Sequence, residues 1–290
     1  MNQQQSLSPV GSVARVWRYP VKSMMGEDLP FVYVRDDGLS GDRSYALGDA
    51  TDGKTATAKN PRKWPTLFTF KATYIKTVDS DGKVPPVRII LPNGASVISN
   101  QPDLNQILSK ALKREVRLMV VEQGKVKGVQ ASLPTSWTGQ SDEYWPDIAG
   151  RDHRDTTTEF TLPTGTFYDA ATIHLLTTAT LRQLREHYSS GNFALQRFRP
   201  NIVVETIEET KGFVENSWIG HTLAIGDEVR LTITERCGRC VMTTLPIGNL
   251  PKDPGILRTV LQHNDGKVGV YARVIQGGTI HQGDRVRVDE

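Results

Sequence analysis

EVRLTITERCGRC, residues 228–240, reads as a strand with chemistry at its end. Val229, Leu231 and Ile233 alternate with Arg230, Thr232 and Thr234, the period of two that marks a strand with one buried face. Both cysteines of the 290-residue chain, Cys237 and Cys240, follow directly. Further out, LAIGDEVRL (223–231) and IHQGDRVRV (280–288) echo each other, each placing Gly-Asp before an alternating run. They predict two barrel-type strands rather than a duplication. VRIILPNGASVIS (87–99) adds a hairpin signal, because Asn93-Gly94 supplies the positive-φ turn that short hairpins favour.

Helices are few. In PDLNQILSKALKRE (102–115), Leu104, Ile107, Leu108 and Leu112 fall at helical spacing after the candidate cap Asp103. TTATLRQLREHY (177–188) pairs Thr180 with Gln183 as a capping box and sets Leu181, Leu184 and Tyr188 on one face. The first turn of that helix is a candidate phosphate site, since its free amides suit anions. Between the two helices, PTSWTGQSDEYWPDIAGRDH (134–153) is polar and turn-rich with aromatic anchors, which makes it the connection between two β-rich parts. The fold class expected is β-rich α+β. A β-rich first domain spans 11–122, a connecting segment 123–160, and a β-barrel domain 161–289.

Composition narrows the function. With 38% hydrophobic and 23% charged residues, 25 glycines and 16 prolines, the chain reads as a folded, turn-rich protein. A net charge of +3 is too small for nucleic-acid binding without a recognisable module. The N-terminus, MNQQQSLSPVGS, has no basic start or apolar run, and no segment approaches the roughly 20 apolar residues of a membrane span. The expectation is a cytoplasmic protein with no membrane partner. No glycine-rich phosphate loop or dinucleotide fingerprint follows a strand, which disfavours P-loop and nicotinamide chemistry.

In a reducing compartment, two cysteines alone point to catalysis, metal binding or inert burial rather than a structural disulfide. Zinc needs four ligands, and the six scattered histidines show no spacing that completes the set. A thioredoxin-like couple needs a helix after C-x-x-C, whereas VMTTLP follows here, β-prone and closed by Pro246. Burial of both thiols as small hydrophobes stays open. So does a soft metal held mainly by a non-protein cofactor, which needs one protein thiolate. Basic residues are uneven: Lys59, Arg62 and Lys63 cluster, Arg197 and Arg199 flank Phe198, and Lys22 and Arg43 sit at turns. Brought together they would make an anion site; taken singly, each serves equally well as a solvated surface charge.

The order of WRYPVKSMMGEDL (17–29), GLSGDRSYAL (38–47), DAATIHLLTTATL (169–181), RFRPNIVVE (197–205), GFVENSWIGHTLAIGD (212–227) and CGRCVMTTL (237–245) resembles the MOSC-domain proteins. These have a molybdenum cofactor sulfurase C-terminal domain behind a small β-rich domain, and they include amidoxime-reducing components and bacterial reductases of N-hydroxylated bases. The resemblance runs from about residue 11 to 288. It implies a MOSC-type β-barrel with few helices packed against the smaller domain, and a molybdenum cofactor (molybdopterin) with Cys240 as metal ligand and catalytic centre. Lys22, Ser23, Arg43, Arg199 and Asn201 match cofactor contacts, and Thr177 and Thr178 stand beside the phosphate in that scheme. Arg and Lys suit a phosphate and Asn can both donate to and accept from a pterin edge. Arg199 and Ser23 also have an ordinary reading as turn formers.

Gly238 departs from relatives that have a side chain there. With no spare cysteine, no iron–sulfur cluster is expected, and the chain is too short for the pyridoxal-phosphate domain of cofactor sulfurases. The implied activity is molybdenum-dependent reduction of small N-hydroxylated or N-oxide substrates, with electrons from a separate reductase or ferredoxin-type protein. The alternative is a carrier of cofactor or sulfur that turns over no substrate.

Overall fold

A computed structural model describes residues 9–81, 83–134 and 137–289. Residues 1–8, on which much of the N-terminal reading rests, lie outside them, as do Thr135 and Ser136 in the connection. The described residues are β-rich with four α-helices: α1 (Leu104–Leu112), α2 (Thr178–His187), α3 (Leu195–Phe198) and α4 (Pro254–Asn264).

Seven strands close a barrel. In order around it they are Pro9–Arg18, Arg285–Asp289, Thr222–Ile225, Val229–Gly238, Lys267–Gln276, Ile173–Thr177 and Ile202–Thr206, the last pairing back to the first. Every pairing is antiparallel except Ile173–Thr177 with Ile202–Thr206, which is parallel. A parallel pair needs a crossover, and α2 and α3 supply it. Closure leaves no free edge for another chain to extend. Inside, Val229, Leu231 and Ile233 are buried with Val13, Val16, Leu175, Ile202, Leu223, Val270 and Val286. The alternation in the sequence therefore marks the core face, each such side chain adding about 1.5–3 kcal/mol on burial.

Strand Val229–Gly238 does not keep strict register. Against Lys267–Gln276 it shifts between Ile233 and Glu235 and again between Arg236 and Gly238. Bulges of this kind bend a strand and re-aim its side chains, and here Cys237 becomes buried at the strand's end. The following turn then leaves Cys240 partly exposed.

A second core lies in the first part of the chain. Tyr45–Asp49, Val116–Glu122 and Lys125–Gly128 form one sheet, and Lys71–Tyr74, Val87–Ile90 and Ser96–Ile98 another. Leu104 and Leu108 of α1 pack with Leu47, Phe70, Ile89 and Leu118 between them. Asp103 is the cap residue of α1 by position, but its side chain makes no capping bond. The hairpin at Asn93-Gly94 is present with a longer loop than the sequence suggests. Leu91 N–H bonds the Ala95 carbonyl and only Gly94, at φ +85°, is left-handed. The connection folds as a hairpin of its own, Gln140–Trp145 with Thr156–Thr161.

Candidate functional site

Residues far apart in sequence line one cavity of about 540 Å³: Lys22, Ser23, Arg43, Lys59, Arg199, Asn201, Cys237 and Cys240 among them. Three of these hold a left-handed backbone without being glycine: Ser23 at φ 64°, Arg43 at 48° and Arg199 at 54°. Such conformations cost about 1–3 kcal/mol each and persist where the surroundings over-determine them. Arg199 is in this state because it ends α3 as its C-terminal cap, which throws its guanidinium back over the Tyr19 ring at 4.1 Å. Arg43 stacks on the same ring at 4.6 Å. Two guanidiniums thus share one buried aromatic residue.

Each cation is fixed by neighbours. Lys22 is buried, donates to the Phe167 carbonyl at 2.9 Å and ion-pairs with Asp169. Asp169 also takes Lys59 at 3.4 Å. Burial would push the Asp169 carboxyl up, but Lys22 and Lys59 outweigh it and hold it well below the usual carboxylate range. Burial lowers Lys22 more than Asp169 restores it, and it lowers Arg199 to about 10, with Arg43 adding repulsion. Arg43 pairs with Asp42, and its Nη1 lies 3.3 Å from Asn201 Oδ1. Ser23 Oγ accepts from Ala58 N at 3.0 Å.

The two thiols differ. Burial alone would raise Cys237, but Arg239, whose Nη1 donates to its sulfur at 2.8 Å, and His174 hold it down at about 6. His174 Nε2 is 3.1 Å from the Val268 carbonyl, a contact that only the protonated nitrogen can make. Cys240 is pushed up by burial and by Glu143, with Lys59 and Arg239 opposing. Holding Cys240 as a thiolate therefore calls for more positive charge than these side chains supply.

Of the residues singled out in the sequence, Lys22, Ser23, Arg43, Arg199, Asn201 and Cys240 meet on the cavity, whereas Thr177 and Thr178 do not line it. Thr177 is fully buried, and its hydroxyl donates to Glu215 Oε2 at 2.6 Å and accepts from Thr180 N at 3.2 Å. Thr178 faces Thr206, with hydroxyls 3.4 Å apart. The helix start that offered itself to a phosphate is occupied by the protein's own carboxylate. Of the basic cluster at 59–63, only Lys59 reaches the cavity. Arg62 pairs with Asp155 at 2.5 Å, and Lys63 with Asp49 at 2.9 Å and Asp52 at 2.5 Å. Arg197 is wholly buried on carbonyls of Asn192, Thr243, Leu245 and Pro251. Arg151, Arg239, His174, Lys267 and Tyr271 also line the cavity. Only Arg239 had a sequence signal, its place between the cysteines.

The lining fits a large anionic group with room for one sulfur ligand. Arg151 and Arg239 each keep a buried Nε–H without a partner, a donor left unsatisfied in the wall. Among the described residues no three His, Cys, Asp or Glu side chains converge as a metal site, so a metal here needs most of its donors from elsewhere. Among the same residues no helix is long and apolar enough to cross a membrane.

Comparison with known proteins bears on the whole chain. Residues 10–128 match the MOSC N-terminal beta barrel domain and residues 163–287 the MOSC domain. Mitochondrial amidoxime reducing component 2 of Rattus norvegicus is 26% identical, the alignment covering 97% of this chain and 84% of that protein. Among solved structures, the YUAD protein from Bacillus subtilis is 9% identical at a TM-score of 0.44, covering 96% of this chain and 94% of its own. YiiM from Geobacillus stearothermophilus is 17% identical at 0.32, covering 41% and 55%. With both matches in tandem over a closed barrel, the chain belongs to the MOSC-domain proteins that have the N-terminal beta barrel domain in front.

Proposed function

We propose that this protein is a cytoplasmic reductase that holds a molybdenum cofactor on Cys240 and removes oxygen from N-hydroxylated or N-oxide compounds. The observation that supports this most directly is the convergence of Lys22, Arg43 and Arg199 with a single partly exposed thiol on one cavity. Molybdopterin brings a phosphate and two sulfurs, so the protein needs cations and one thiolate, which is the donor set present. When bound, that cofactor supplies the two-electron chemistry.

The chain's own residues hold and orient. Lys22, Arg43 and Arg199 are the phosphate-binding cations, Ser23 fixes the turn that carries Lys22, and Asn201 positions Arg43. Asp42 and Asp169 keep Arg43 and Lys22 in place and prevent mutual repulsion from scattering the cluster. Reduction of an N-hydroxy compound takes two electrons and two protons, breaks the N–O bond and releases water. The electrons come from a separate reductase or ferredoxin-type protein and the protons from solvent that reaches the cavity. The resemblance to a named amidoxime reducing component supports the substrate class.

The test is molybdenum per protein, by elemental mass spectrometry, in material from a cofactor-producing host. Wild type and Cys237→Ala should hold near-stoichiometric metal and Cys240→Ala almost none. Metal retained by Cys240→Ala would remove the ligand assignment. Metal absent from wild type beside a loaded control would remove the reductase and leave a carrier or a barrel whose cysteines are buried and inert.

A further inference from the structure

The cations of the cavity other than Arg199 fall into two sets. Lys22, Arg43 and Lys59 are ion-paired and interlocked through Asp42, Asp169 and Glu143. Arg151, Arg239 and Lys267 form no ion pair among the described residues, yet all three line the cavity around the cysteine loop. Arg239 and Arg151 are held in place by something other than a carboxylate. Arg239 donates to Cys237 Sγ at 2.8 Å and to the Phe198 carbonyl at 2.7 Å. Arg151, on the loop of the Gln140–Trp145 hairpin, lies over the Trp145 ring at 4.9 Å and donates to the Arg239 carbonyl, next to Cys240. Lys267 approaches from the facing strand: a Cβ added to Gly238 would sit 3.6 Å from its Nζ. Three cations are thus brought to one wall; Arg239 is answered by the Cys237 sulfur, whereas Arg151 and Lys267 form no ion pair among the described residues and Arg151 keeps a buried Nε–H without an acceptor. Uncompensated charge on a cavity wall raises the local concentration of anions and favours those that can take a bidentate contact.

We propose that Arg151 and Lys267 form an anion-recognition wall beside Cys240, so that the site selects reducible N–O compounds carrying a carboxylate or a comparable anionic group. The inference rests on the reductase reading above. Lys22, Arg43 and Arg199 serve the cofactor's phosphate, and Arg151 and Lys267 serve the substrate. Arg151 is a specificity residue contributed by the connection between the two β-rich parts.

The probes are benzamidoxime and its 4-carboxylate, alike except for the charge. Calorimetric titration of oxidised, molybdenum-loaded protein without an electron donor reads binding alone. The carboxylate should bind about tenfold more tightly, the size of one charge-assisted contact, and the advantage should shrink as salt is raised. Arg151→Gln and Lys267→Gln should each remove most of it, while Arg151→Lys keeps a part and all three retain wild-type molybdenum. Equal affinities in wild type overturn the proposal. So does a variant that loses metal together with affinity, because the wall would then belong to the cofactor. If wild type holds no molybdenum and reduces neither compound yet still prefers the carboxylate, the wall stands and the reductase falls. Turnover of both compounds without preference gives the reverse.

Discussion

Asn201 has every hydrogen-bonding position of its side chain engaged by the protein. Its Nδ2 donates to Asp42 Oδ2 at 3.0 Å and the Trp17 carbonyl at 3.3 Å, and its Oδ1 accepts from His174 N at 3.1 Å and Arg43 Nη1 at 3.3 Å. In the sequence, Asn201 is a donor and acceptor suited to a ring edge, and residue type alone does not say which way an amide is spent. Arg199 two residues earlier was more legible, because an arginine beside Phe198 and before Pro200 is constrained to a turn. Its left-handed backbone was not, since that state is imposed by the end of α3. Asn201→Ala would strand Asp42, Arg43 and a buried backbone amide together. We expect a loss of about 2–4 kcal/mol in urea unfolding, with molybdenum loading falling in parallel as Arg43 loses its anchor. Unchanged stability would show that water replaces the amide and that Asn201 does not position Arg43.

The start of α2 shows how an element can be placed correctly and its cap misread. The expected box joined Thr180 to Gln183, but Gln183 points outward to Glu186 and His187, at 3.3 and 3.1 Å. Strand Ile173–Thr177 runs straight into the helix, so Thr177 becomes the cap and Thr180 turns inward to Glu215 at 2.7 Å. Spacing gave the helix its face; the cap depended on a carboxylate some 40 residues away that no local pattern contains. By contrast, α4 has its whole signal in the sequence, with Asp253 capping Gly255 N at 2.9 Å and Pro254 opening the first turn. Burial pushes the Glu215 carboxyl above its ordinary 4.5, although Thr177 and Thr180 lower it in part. A raised carboxyl means that the fold favours the protonated form. Its contribution is complete below 4.5 and is lost as pH rises from there through the folded-state value. Stability of wild type relative to Glu215→Gln should therefore fall with rising pH across that window and level off above it. Parallel pH profiles for the two proteins would sink the assignment.

At the scale of the molecule, the period-two runs were enough to give β-rich architecture and barrel strands, because alternation records which face is buried. They could not give partners, because pairing is non-local and a strand's pattern is the same whichever neighbour it meets. Pro9–Arg18 is the case that matters most. It is the first strand of the described residues, its end at Arg18 lying 155 positions before the other barrel strands begin at Ile173, yet it pairs with Ile202–Thr206 on one side and Arg285–Asp289 on the other. Val13 and Val16 fill the barrel core from it, and Lys22, just beyond its end, lines the cavity. Part of the cavity's cation lining thus stands on the same length of chain that closes the barrel. A fragment spanning residues 161–290 lacks that strand and has two open edges with unpaired backbone groups, a template for aggregation. We expect it to show no cooperative thermal transition and weak near-ultraviolet dichroism, and to recover both when co-expressed with residues 1–160. A sharp transition in the fragment alone would mean that the barrel closes without its first strand. The coupling of fold to site through Pro9–Arg18 would then have to be abandoned.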